Sequence, residues 1–128
     1  MSTYTQILYQ IVFSTKFREP TMAQDGQQRL YQFIAGILKT KKCHLYQING
    51  VENHLHIITD IHPMLGPAQL VKDIKLATTA FLKETEIFPS FRGWQCGYGA
   101  FTYSITAKER LIAYVKNQKE HHRVKNFR

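Results

Sequence analysis

The chain has 128 residues, 44% of them apolar, which is enough for one packed core and leaves little room for a second independent domain. Its formal net charge is +8 with six histidines left out, which points toward a polyanionic partner. Two isolated cysteines, Cys43 and Cys96, exclude a disulfide framework and suit a reduced, cytoplasmic setting. The start, Met1 to Gln6, has neither the basic residues nor the apolar run of a signal peptide, and no window approaches the length of a membrane span.

Residues 5–15, rich in β-branched and aromatic types, predict a first strand that ends at Arg18-Glu19-Pro20. From about Asp25 to Lys41 the residues Leu30, Phe33, Ile34, Ile37 and Leu38 repeat at helical spacing. Lys39, Lys41 and Lys42 stand at the C-terminal end of that helix, where cations suit its dipole. Two strand-like runs follow, 43–49 and 53–60, separated by a turn at Gly50-Val51-Glu52.

The second of these runs holds His54-Leu55-His56. Side chains alternate along a strand, so both imidazoles share a face about 7 Å apart and can converge on one metal ion. A lone His-x-His is a weak signal, because such pairs on half-buried strands are more often packed or solvated.

Pro67 is placed to open the next helix, which carries Leu70, Ile74, Ala77, Phe81 and Leu82 on one side and Lys72, Lys75 and Lys83 around the rest. Residues 94–103 predict a fourth strand punctuated by Gly97 and Gly99, a pattern of bulges or close backbone approach. Thr106 and Glu109 have capping-box spacing and predict a last helix from there to about Glu120.

That helix carries Tyr114 and Gln118, four residues apart and so on one face, offering a phenol and an amide oxygen to the same place. With the histidine pair they make the parts of a metal-assisted tyrosine nucleophile. Leu111, Ile112 and Val115 give the helix its own apolar contacts, which leaves Tyr114 spare. Residues 108–128 also hold seven of the seventeen lysines and arginines, either a solvated charged face or a nucleic-acid footprint.

The order β-α-β-β-α-β plus a terminal helix predicts an α+β, ferredoxin-like split β-α-β fold with an antiparallel sheet, as a single domain over 1–128.

The chain resembles single-tyrosine HUH transposases of the bacterial insertion-sequence (IS200-like) type, relatives of the REP-associated tyrosine transposases. His54-Leu55-His56 matches their two histidines around a bulky apolar residue, and Tyr114 to Gln118 matches their Tyr-x-x-Asn-Gln context. The runs Gly93 to Gly99 and Tyr4 to Ser14 are similar to the fourth-strand and first-strand regions of that family. The resemblance implies cleavage and rejoining of single-stranded DNA, with a folded DNA hairpin as recognition element and Tyr114 forming a 5′-phosphotyrosine.

On that resemblance His54 and His56, with Gln118 as third ligand, would hold Mg²⁺ or Mn²⁺ as a Lewis acid, and no ATP or other nucleotide is needed. A phenol's ordinary pKa is about 10, so the attacking hydroxyl must pass its proton to solvent, the metal site or a base. His121 and His122 are more plausible as phosphate contacts or solvated residues than as that base. Lys72, Lys75, Lys116, Lys119 and Arg123 are candidate DNA contacts, with plain surface lysines and arginine as the alternative.

The resemblance further implies a homodimer joined at its sheet edges. Members of that family often run past the tyrosine helix, where this chain ends at Arg128. The competing reading from another class is a non-catalytic module that binds single-stranded or hairpin nucleic acid on exposed aromatics. A metal-dependent hydrolase of small phosphoesters gains nothing from the basic tail.

Overall fold

The computed structural model describes residues 7–117. Strand β1 (Ile7–Ser14) is followed by a 3₁₀ turn (Lys16–Arg18), α1 (Gln24–Thr40), β2 (Leu45–Gly50) and β3 (His54–Thr59). Then come α2 (Pro67–Thr85), β4 (Gly99–Ser104), a second 3₁₀ turn (Ile105–Ala107) and α3 (Lys108–Lys116). This is the α+β split β-α-β order, and the sheet order β2-β3-β1-β4 is antiparallel at every pairing.

Alternation along the central strands sorts their side chains onto two faces. Ile11 and Phe13 of β1 and Leu55 and Ile57 of β3 point toward α1 and α2, where Leu30, Ile34, Leu38, Leu70, Ile74 and Leu82 complete the main core. Each fully buried aliphatic of this set stabilises the fold by about 1.5–3 kcal/mol relative to exposure. On the other face Leu8 and Ile58 pack against Leu111 and Val115 of α3 in a smaller second cluster. Every residue of β3 is buried as a result, the two histidines included.

Two local expectations are corrected. The fourth strand begins at Gly99, not Trp94, because Trp94 forms only an isolated bridge to Thr15 and Gly97 has φ +90°, a value open chiefly to glycine. The Thr106–Glu109 capping box does not form. Ser104 caps the second 3₁₀ turn instead, accepting from the Thr106 N–H at 3.3 Å, and α3 opens after it at Lys108 with no side-chain cap. The predicted extension to Glu120 lies outside the described residues.

The segment 94–98 is nevertheless firmly placed. Trp94 packs edge-on against Phe13 at 4.9 Å and donates its indole N–H to Thr78 on α2 at 2.9 Å. Lys75 donates to the carbonyls of Gln95 at 2.9 Å and Gly97 at 2.6 Å. Among the described residues no helix is long and apolar enough to cross a membrane.

Candidate active site

His54 and His56 lie on the α3 face of β3, in phase with Ile58, and their rings stand 5.3 Å apart between centroids. Both are over nine-tenths buried, so their polar atoms must be satisfied within the protein. His56 Nδ1 is 2.8 Å from Gln10 Oε1, and the Gln10 amide nitrogen in turn donates to the Tyr103 hydroxyl at 3.3 Å. His54 Nδ1 is 2.7 Å from Asn53 Oδ1.

An amide oxygen only accepts, so each Nδ1 carries a proton, and the lone pair of the neutral ring in this tautomer is on Nε2. An imidazole that binds metal through Nε2 needs this tautomer, and an outer partner that fixes the ring in this way is its usual companion. The pair therefore suits a divalent cation. Among the described residues no group of three or more His, Cys, Asp or Glu comes together, so the pair by itself would offer a cation two ligands.

Tyr114 faces the same strand. Its ring lies 6.3 Å from that of His56 at 77°, and α3 presents it at the edge of the face that buries Leu111 and Val115, where it is 36% exposed. Asn49, which pairs with His56 across β2 and β3, donates from its amide to the carbonyls of Val115 at 3.1 Å and Lys116 at 2.9 Å. The last carbonyls of a helix lack partners within it, so this bond ties the end of α3 to the histidine strand. Gln10, His56, Tyr103, Phe101 and Tyr114 line a cleft of about 360 Å³ between the rings.

The IS200-like transposase family model matches residues 3–118. The chain belongs to that family. Two solved structures share the fold of this IS200-like transposase. One is a candidate transposase from Deinococcus radiodurans R1, with TM-score 0.72 and 18% identity, covering 92% of this chain and 95% of that one. The other is a REP-associated tyrosine transposase bound to a REP hairpin, with TM-score 0.65 and 13% identity, covering 95% of this chain and 74% of that one. Among curated proteins none matches this transposase.

The remaining predicted site residues of this IS200-like transposase are divided. Lys116 is exposed near the end of α3, two residues from Tyr114. Lys72 and Lys75 lie on α2, which packs on the sheet face opposite the histidines. Lys75 is half-buried and committed to backbone carbonyls, and burial pulls its ammonium below its ordinary value, partly opposed by Cys96. Gln118, Lys119, His121, His122 and Arg123 lie outside the described residues.

Sequence reasoning missed Gln10, Asn49 and Asn53, the amides that hold the site's parts. Gln10 carried a faint signal, as a polar residue at an inward position of an otherwise apolar strand.

Proposed function

We propose that this transposase cleaves and rejoins single-stranded DNA through a covalent phosphotyrosine at Tyr114, with a divalent metal, Mg²⁺ or Mn²⁺, at His54 and His56. The single observation that carries the reading is Tyr114 facing His56 across an open cleft within one chain. A metal bound there would polarise the scissile phosphate as a Lewis acid. Gln118 is proposed as a further ligand, with phosphate oxygens or water in the remaining positions.

The chain's own residues account for the rest. Gln10 and Asn53 hold the imidazoles so that Nε2 of each serves the cation. Asn49 steadies the end of α3, which keeps the phenol over the cleft. The Tyr114 oxygen attacks phosphorus, its proton passing to solvent or a nearby base, and a new O–P bond forms as the P–O3′ bond breaks. The departing oxygen leaves as a 3′-hydroxyl after taking up a proton. Reversal by a 3′-hydroxyl reseals the strand, because the phosphotyrosine ester conserves the bond energy.

Basic side chains near the cleft, with Lys116 closest in sequence to the nucleophile, would engage the backbone without selecting sequence. A homodimer joined along a sheet edge belongs to the same reading, since β2 and β4 are the outer strands. Incubation with single-stranded DNA from the flanks of its own coding sequence and Mn²⁺ should give an adduct that survives denaturation. Tyr114→Phe should abolish it and keep DNA binding. Wild-type protein that binds such DNA yet forms no adduct would leave the non-catalytic binding module as the better account.

A further inference from the structure

The cleft at Tyr114 has a neighbour. Val12, which pairs with His56, also walls a second hollow of about 240 Å³ on the His54 side, lined by Ser14, Arg18, His54, Cys96, Tyr98 and Gly99 among others. The two hollows share Val12 as a wall, and His56 lines one and His54 the other, with their rings 5.3 Å apart.

The Arg18 side of the second hollow is built with strain. Phe17 and Arg18 both have positive φ, 58° and 55°, in a turn that any ordinary sequence would avoid. Such strain persists only where the surroundings hold it, and it gathers at ligand-binding positions. Here the Phe17 N–H donates to Gln95 Oε1 at 2.9 Å, and the Arg18 N–H donates to the Thr15 carbonyl at 2.9 Å. The Arg18 carbonyl accepts from the Asn53 amide at 3.4 Å. Asn53 is the residue whose oxygen orients His54, so one side chain links the strained turn to the histidine pair.

Tyr98, which lines the same hollow as Arg18, is 42% exposed and follows Gly97 with its φ of +90°. An aromatic ring left open to solvent in one hollow with an arginine, next to a phosphoryl-transfer cleft, is what a nucleotide needs: a surface for its base and a charge for its phosphate.

We propose that Arg18 and Tyr98 form a subsite for a nucleotide flanking the scissile phosphate of single-stranded DNA, the base stacking on Tyr98 and its phosphate meeting Arg18. The subsite rests on the strand-cleavage reading above. Stacking tolerates any base, so the subsite contributes affinity and strand alignment, with sequence choice left to other contacts.

Cys96 supplies a reporter, being exposed in this hollow while Cys43 is buried. The test uses Tyr114→Phe protein, which cannot cleave, and oligothymidylate as probe, with N-ethylmaleimide alkylation of Cys96 as readout. Oligothymidylate should slow alkylation several-fold. An abasic strand of equal length should fail to do so, and Tyr98→Ala should weaken oligothymidylate binding roughly tenfold. Arg18→Asn keeps a residue that tolerates the left-handed turn and should lower the salt slope of binding by about 0.7.

Equal protection by the abasic strand, unchanged affinity in Tyr98→Ala, an unchanged salt slope in Arg18→Asn, or an oligothymidylate that leaves Cys96 as reactive as before would each overturn the subsite. The adduct assay on wild-type protein reads the cleavage proposal separately, since it depends on Tyr114 with genomic DNA and not on Cys96 protection.

Discussion

Gln10 and His56 are 46 residues apart in the chain, yet the amide oxygen of one lies 2.8 Å from Nδ1 of the other. The bond crosses from β1 to β3 and fixes which imidazole nitrogen bears the proton. Gln10→Met keeps the size of the side chain and removes the acceptor, so His56 loses its orientation and its preferred tautomer. Mn²⁺ affinity, followed by electron paramagnetic resonance, should fall about 10- to 100-fold. Unchanged affinity would exclude His56 Nε2 as a ligand.

Much of this arrangement was legible in the sequence, and the failures have physical causes. The period of two that put His54 and His56 on one face is a local property, as is the helical spacing that put Leu111 and Val115 beneath Tyr114. The partnership of Gln10 with His56 depends on the register of β1 against β3 across an intervening helix and strand, which no local pattern encodes. The misplaced helix start has a similar cause: Thr106 had the spacing of a cap, but Ser104 bonded first and a 3₁₀ turn took the residues between. Lys75 looked like any helix lysine until the fold brought the 95–97 carbonyls over it.

Gly50 sits where the hairpin between β2 and β3 closes. A Cβ there would lie 2.5 Å from the His54 carbonyl oxygen and 2.9 Å from Leu55 Cα, both backbone atoms that cannot yield without moving the histidine strand. Gly50→Ala should lower stability by about 1–3 kcal/mol in urea unfolding. Gly36 is the control: it lies on the exposed side of α1 with nothing within 4 Å of its Cβ position, so Gly36→Ala should stabilise by about 0.5–1 kcal/mol. If both substitutions moved the midpoint alike, the close packing assigned to Gly50 would be wrong.

Tyr31 should make the fold sensitive to alkali. Burial pushes its phenol above the ordinary value of 10.0, against a smaller opposing effect of a hydrogen bond with the Gly50 backbone. Above about pH 10 the unfolded chain gives up this proton while the folded chain keeps it, so the folded state binds more protons and stability falls as pH rises. The contribution is complete below the unfolded value and is lost as pH climbs through the folded one. Tyr31→Phe should flatten this decline in melting experiments between pH 9 and 11, though it removes the contact with Gln27 as well. A decline of the same steepness in the variant would assign the alkaline sensitivity to another group.

Asp73 should make a smaller, salt-screened contribution in acid. Its bond with Lys41, 2.7 Å long, joins α2 to α1, and that bond first, then one from Gln69, holds the carboxyl below its ordinary value of 3.8. The stabilisation is present above the unfolded value and disappears as pH falls through the lower folded one. Asp73→Asn should therefore melt like wild type at low pH and below it near neutrality, with the difference shrinking in high salt because the pair is partly exposed. A constant gap at all pH values would point to a packing effect of the substitution.

Asn49 joins the two halves of the site, since its amide holds the carbonyls of Val115 and Lys116 while its backbone pairs with that of His56. Asn49→Ala removes two hydrogen bonds from the end of α3, at a cost of about 1–3 kcal/mol in stability. Its larger effect should be on chemistry. The phenol of Tyr114 is held over the cleft by a helix of 9 residues, and a displacement of about 1 Å at the reacting atom can slow such a step on the order of a hundredfold. The rate of adduct formation at saturating DNA should drop accordingly, while affinity for DNA stays near wild type. If affinity fell and the saturated rate did not, Asn49 would act in DNA binding, and the tyrosine helix would owe its position to its apolar contacts with Leu8 and Ile58 alone.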